Sequence, residues 1–156
     1  MSISLTDLDA TTGYHFEKVL ASVIRSNGYS EVKVTKASQD YGVDLIAKKN
    51  GLTYCFQAKR YSKPVGITAV QEVHSAVGYY GADHGVVITN QTFTRNAQKL
   101  ADKLGIKLVD RAELGEWLKH SFKEVLKPVK PRKPQVDALR ALDAALQPRL
   151  ALAIGW

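Results

Sequence analysis

Residues 43–59 read Val-Asp-Leu-Ile-Ala-Lys-Lys-Asn-Gly-Leu-Thr-Tyr-Cys-Phe-Gln-Ala-Lys. Two strand-like runs, Val43–Lys49 and Leu52–Lys59, flank the pair Asn50-Gly51. A two-residue turn needs φ > 0 at both positions, which Asn and Gly tolerate best, so this stretch predicts a β-hairpin. The turn also sets the register. Lys49 faces Leu52 and, counting outward, Asp44 faces Gln57. Paired side chains share one face of the sheet, with Cβ atoms about 5 Å apart. Lys59, two residues beyond Gln57, points the same way. A carboxylate, an amide oxygen and an ammonium therefore converge at one edge of the hairpin, and Ile46 and Cys55 continue that face inward. A one-residue bulge would undo this pairing.

Outward from the hairpin, the pattern alternates helix and strand. Phe16, Leu20, Val23 and Ile24 repeat at helical spacing between Thr11 and Asn27, with Thr11 or Thr12 as the cap and Asn27-Gly28 as the stop. Glu31–Thr35 alternates charged and β-branched residues, as an exposed strand does. After the hairpin, Ile67–Tyr80 reads as a helix with Val70, Val73, Val77 and Tyr80 on one face. His84–Thr89 contains the apolar run of a buried strand. A helix capped by Thr94 and stopped by Gly105 follows, then a strand at Ile106–Val109. A last helix is capped by Asp110 and runs to about Leu126. This order, α-β-β-β-α-β-α-β-α, predicts an α/β domain with a mixed central sheet flanked by helices.

The expected folded domain is residues 1–126. Residues 127–135, with three prolines among basic residues, read as a linker. Residues 136–156 read as a short C-terminal helical tail, in which Val136, Leu139, Leu142 and Leu146 form an apolar stripe suited to docking or oligomerisation. The formal net charge is +7, and residues 119–156 hold eight Lys/Arg against three Asp/Glu. Much of the excess is thus a basic tail, so charge alone points to a polyanionic partner no more than to a solubilising segment. The single cysteine, Cys55, excludes an internal disulfide and a cysteine-based zinc site, which fits a reducing cytoplasm. No apolar run approaches the length of a membrane span, and the opening MSISLTDLDA has neither the basic head nor the apolar stretch of a signal peptide. His15, His74, His84 and His120 show no metal-ligand spacing.

The trio on the hairpin has the parts for phosphodiester hydrolysis. A carboxylate and a carbonyl oxygen are hard ligands suited to Mg²⁺, which completes its octahedron with water and substrate phosphate. A neighbouring lysine can orient the attacking water or offset charge building on the phosphate. By residue type alone, Asp44 is equally a strand-edge turn residue, Gln57 a surface amide and Lys59 a solvated charge.

More of the chain speaks to the choice. Asp44 and Gln57-Ala58-Lys59 resemble the D…QxK motif of the Mrr-like restriction endonucleases, a branch of the PD-(D/E)xK nuclease superfamily. Gly13-Tyr14-His15-Phe16-Glu17 resembles the family's G-x-x-F-E in the first helix. Gln39-Asp40-Tyr41-Gly42-Val43-Asp44 resembles its D-x-G-x-D approach to the second strand. Gly85–Asn90, followed by Phe93-Thr94 and Ala97, resembles its later strand and helix. The match runs in order from about Gly13 to Leu118.

The resemblance implies a restriction-endonuclease-like αβββαβ core. It also implies metal-dependent DNA endonuclease activity of the restriction or defence type, with Mg²⁺ as cofactor and Mn²⁺ as a substitute. Asp44 and Gln57 would ligate the metal with the backbone carbonyl of Ala58, Lys59 would be the catalytic lysine, and Glu17 an auxiliary acid. Val43 stands where the superfamily has proline, and Gln57 replaces the usual acid, leaving one fewer negative charge at the metal. Asp40 reads as a turn residue or an auxiliary at the site. Arg60, Tyr61 and Lys63, just past the motif, and Gln71 on the following helix are candidates for DNA contact, and each is equally an ordinary surface residue. DNA is the expected partner, joined by a second copy of the chain or by a target-recognition domain, in the cytoplasm and not at a membrane. The other readings are a branched- or single-stranded-DNA nuclease of the same fold, a non-catalytic DNA-binding module, and a protein-interaction subunit assembling through residues 136–156.

Overall fold

The computed structural model describes residues 3–35 and 43–126. The expected linker, the C-terminal segment and Asp40 lie outside the described residues. Within them the chain forms α1 (Leu5–Asp9), α2 (Gly13–Ser26), β1 (Ser30–Val34), β2 (Leu45–Lys49), β3 (Leu52–Lys59), α3 (Ile67–Tyr80), β4 (His84–Thr89), α4 (Arg95–Leu104), β5 (Lys107–Val109) and α5 (Arg111–Leu126).

The five strands make one sheet in the order β1-β2-β3-β4-β5. β1, β2 and β3 are antiparallel, whereas β3, β4 and β5 run parallel. The mixed sheet flanked by helices is the α/β architecture that the sequence predicts. The hairpin register is also as counted: Lys49 pairs with Leu52, Ile46 with Cys55 and Leu45 with Phe56. Asn50 (φ 53°) and Gly51 (φ 79°) supply the two positive dihedrals of the turn.

The alternation of β3 divides the core. Phe56 points with Leu45, Ala47, Val86 and Ile88 toward α2 and α5, meeting Phe16, Leu20, Ile24 and Leu114. Cys55 points with Val87 to the opposite face, against Val70, Val73 and Ala76 of α3 and Ala97 and Ala101 of α4. Full burial of Phe16 and Phe56 contributes roughly 1.5–3 kcal/mol each. Burial pushes the Cys55 thiol up to about 11, as expected of an inert core residue.

Several boundaries shift by a residue or two. Thr12, not Thr11, caps α2 through His15 N–H. Thr94 caps α4 through Ala97 N–H, and Asp110 Oδ1 accepts from Glu113 N–H at the start of α5. β2 begins at Leu45, and Asp44 occupies the bend before it. β1 carries a register irregularity between Ser30 and Lys33. The one element beyond expectation is α1, a short helix closed by a capping box in which Ser4 and Asp7 satisfy each other's backbone N–H groups. No helix among the described residues is long and apolar enough to cross a membrane.

Candidate active site

Asp44 sits where the chain enters β2, and two hydrogen bonds, one backbone and one side-chain, tie it to β3. Its N–H donates to the Phe56 carbonyl at 2.8 Å, and its Oδ2 accepts the Ala58 N–H at 2.8 Å. The paired ladder ends at Leu45–Phe56; one residue further Asp44 bonds the same Phe56 carbonyl, off the counted register, and its carboxylate takes the next strand amide. Asp44 and Gln57 are 9% and 7% exposed. That burial separates them from the bland alternative of surface turn residue and surface amide, because buried polar groups are retained where they have work to do or partners to satisfy.

Lys59 lies two residues along the same face, its side chain 18% exposed. The Glu72 carboxylate of α3 stands 3.3 Å from its Nζ, an ion pair without the alignment of a hydrogen bond. The Tyr61 ring centroid is 5.7 Å from the same nitrogen. Burial works to lower the Lys59 pKa, but Glu72 and Tyr61 outweigh it and leave the ammonium above the ordinary lysine value. Lys59 is a half-buried cation with a carboxylate neighbour, not a solvated charge.

The remaining candidates fall into three positions. Glu17 is partly buried on α2, next to the buried Phe16. Its helix packs on the sheet face opposite to that of Gln57 and Lys59. Gln71 is exposed on α3, and it is the next residue, Glu72, that meets Lys59. Arg60, Tyr61 and Lys63, with Ser62, line an open surface pocket of about 330 Å³ directly after Lys59.

A part-buried polar network anchors that pocket. The Tyr61 N–H donates to Asn90 Oδ1 at 2.9 Å, and Asn90 Nδ2 donates to Asp9 Oδ1 at 2.8 Å. Arg111 grips both Asp9 oxygens, at 2.9 and 3.1 Å, and also donates to the Asn90 carbonyl. Arg60 reaches the Asp9 carbonyl, while its Nε is buried without a hydrogen-bond partner among the described residues. Sequence reasoning does not single out Asp9, Glu72, Asn90 or Arg111. Their partners are remote in the chain, 102 positions apart for Asp9 and Arg111, and no local spacing betrays them.

The donor set at the trio is one carboxylate and one amide oxygen. No group of three or more His, Cys, Asp or Glu side chains able to hold a metal occurs among the described residues, so a nitrogen- or sulfur-rich transition-metal site is absent from them. Two hard oxygens suit a divalent ion that keeps several waters and takes substrate phosphate as a further ligand.

The Mrr_cat restriction endonuclease family matches residues 8–118. No curated protein matches the chain. Among solved structures, the chain is similar to AF1548, a protein of unknown function (23% identity, TM-score 0.60, 82% of this chain and 77% of that one). It is also similar to the DNA modification-dependent restriction endonuclease AspBHI (20% identity, TM-score 0.60, 90% of this chain and 39% of that one). A third is the MspJI restriction endonuclease in complex with a 27-mer oligonucleotide (22% identity, TM-score 0.55, 69% of this chain and 27% of that one). At these identities the likeness is one of fold, and the chain spans well under two thirds of either endonuclease.

Proposed function

Since the chain belongs to the Mrr_cat restriction endonuclease family, we propose that it is a divalent-metal-dependent DNA endonuclease, Mg²⁺ being the natural ion and Mn²⁺ a substitute. The observation that carries this reading is the pairing of Asp44 with the backbone of Ala58. That bond holds a carboxylate against the strand segment that carries Gln57 and Lys59.

Asp44, Gln57 and the carbonyl of Ala58 would hold the ion. When bound, a divalent ion polarises a phosphoryl oxygen and makes water a better nucleophile at neutral pH. Asp44 and Gln57 contribute a single negative charge, so the chain's own hold on the ion is weak and the DNA phosphate completes it. Lys59 offsets the charge that builds on the phosphate as the bond breaks. Glu17 serves as an auxiliary acid from α2, and Asp40 from the segment before Val43.

Arg60, Tyr61 and Lys63 form the seat for a neighbouring phosphate, where cations set register on the backbone and do not read bases. Gln71, further along α3, contacts the same strand. Target recognition falls to a partner domain or a second copy of the chain. In that scheme residues 127–135 act as a linker and residues 136–156 as the docking segment.

The test is incubation of the full chain with supercoiled plasmid, unmodified and methylated, in Mg²⁺ or chelator, beside Lys59→Ala. The description of AspBHI as modification-dependent makes modified duplex the first substrate to try. Cleavage that needs the metal and vanishes in the variant supports the assignment. Equal products from both proteins, or products in chelator, would remove it.

A further inference from the structure

On α3, Ala69, Val70, Val73 and Ala76 are buried against the sheet. Glu72 lies within a turn of both Ala69 and Ala76, which puts it at the border of the buried face, while Gln71 points outward. Strand alternation brings Lys59 to this same face of the sheet. The result is the 3.3 Å approach of Glu72 Oε1 to Lys59 Nζ, with the carboxylate side chain 41% exposed and the ammonium 18%. The approaching oxygen is buried and makes no hydrogen bond among the described residues. This carboxylate adds a negative charge beside a lysine that must meet a phosphate, so it opposes the very ligand the site is built for. A charge in that position is a cost for DNA binding unless it does something for Lys59.

We propose that Glu72 is the positioning residue of Lys59: it holds the ammonium along the sheet face and yields it to a DNA phosphate on binding. This rests on the reading of Lys59 as the site's lysine. The contact is partly solvated and unaligned, so it is weak enough to be exchanged. A phosphate oxygen, by contrast, offers charge-assisted hydrogen bonds. Glu72 thus trades affinity for orientation. Without it, Lys59 meets DNA more readily but in more than one rotamer.

The experiment is a double-mutant cycle with Glu72→Gln and Lys59→Ala, read first by DNA binding in Ca²⁺ or chelator with a labelled duplex, so that cleavage is not required. Glu72→Gln is expected to tighten binding by about twofold to fivefold, the upper span of a partly exposed ion pair. In the Lys59→Ala background the same substitution should change affinity by less than about twofold. Equal tightening in both backgrounds would overturn the proposal, since it would mean a general charge effect. So would weaker binding together with a lowered melting temperature, the mark of a merely structural residue.

Single-turnover cleavage in Mg²⁺ then supplies the second readout. Glu72→Gln should slow the chemical step by about tenfold despite the tighter binding, and Glu72→Asp, which keeps the charge, should recover part of the rate. An unchanged rate in Glu72→Gln would overturn the positioning role. If Lys59→Ala cleaves like the wild type, the catalytic reading of Lys59 fails, while the binding cycle still decides whether Glu72 and Lys59 are coupled.

Discussion

Ala58 donates its backbone N–H to Oδ2 of Asp44 across 2.8 Å, so the strand that carries Gln57 and Lys59 also anchors the Asp44 carboxylate. The catalytic candidates are therefore not three side chains that happen to meet. Two lie on β3, and the third is held by a β3 amide.

Asp44→Asn should keep this bond, because the amide oxygen still accepts from Ala58, and should lose the charge that a divalent ion needs. We expect a melting temperature near that of the wild type and a fall in single-turnover cleavage of about a hundredfold or more. Lys59→Ala should cost about 10²–10³-fold in rate while DNA is still bound. Thermal melts and cleavage of one plasmid substrate check both. A fully active Asp44→Asn would remove Asp44 from the site.

Gln57→Glu should invert the balance between stability and metal affinity. A second carboxylate placed beside Asp44, at a position only 7% exposed, is repelled and desolvated in the metal-free protein, lowering its melting temperature. Saturating Mg²⁺ or Mn²⁺ should then raise the melting temperature by more than it does in the wild type, because ligand binding stabilises in proportion to affinity. An identical metal-induced shift in both proteins would place the ion elsewhere.

The Asp9–Arg111 pair should appear in the acid limb of stability. Hydrogen bonds from Arg111 and then Asn90 hold the Asp9 carboxyl below the usual 3.8, so its contribution is in full force above that value. It is lost as the pH falls through the lower folded-state value. Both side chains are more than a third exposed, which limits the pair to about 1 kcal/mol, or roughly 2–4 °C. Asp9→Asn should melt lower by that amount at pH 7, and the gap should close below pH 3.8. Melts at pH 7, 5 and 3 measure it, and a gap independent of pH would contradict the linkage.

Gly85→Ala tests the packing behind the site. A Cβ there would stand 2.9 Å from Val77 Cγ2, 3.0 Å from Ile106 Cδ1 and 3.3 Å from Val73 Cγ2. All three are β-branched side chains with little rotamer freedom. Overpacking of this kind costs about 1–3 kcal/mol, and denaturant melts should show that loss with an unchanged slope. A neutral substitution would mean that α3 is free to move outward.

What could be read from the chain follows from how far each constraint reaches. The hairpin was legible because Asn50-Gly51 fixes both turn and register, which hold as far as Leu45–Phe56; the expected pairing of Asp44 with Gln57 lies one step past that, where Asp44 instead bonds the Phe56 carbonyl and the Ala58 amide. Likewise, α3 and β3 carry periodicities long enough to bound them. By contrast, α1 has only the Ser4–Asp7 capping box to announce it. Gly85 reads as one more residue of a buried strand, because the side chains that require a glycine come from α3 and from Ile106. On α3, reading from the sequence favours Gln71, yet helix rotation presents Glu72 to the lysine. Asp9, Asn90 and Arg111 meet only after three distant segments close, so no window of sequence holds their relationship.

The sheet keeps its strands in chain order, and β3 is bonded on both sides by its nearest neighbours in sequence. Amides in such a strand exchange with solvent only through the rarest openings, those that approach global unfolding. Gln57, Ala58 and Lys59 lie past the last β2 pair but remain laddered to β4, with Ala58 also held by Asp44, so they should exchange slowly beside the exposed residues Ser62 and Lys63. Deuterium uptake should separate the two groups within six residues, and heat should abolish cleavage at the temperature of global melting, with no earlier stage of local loosening.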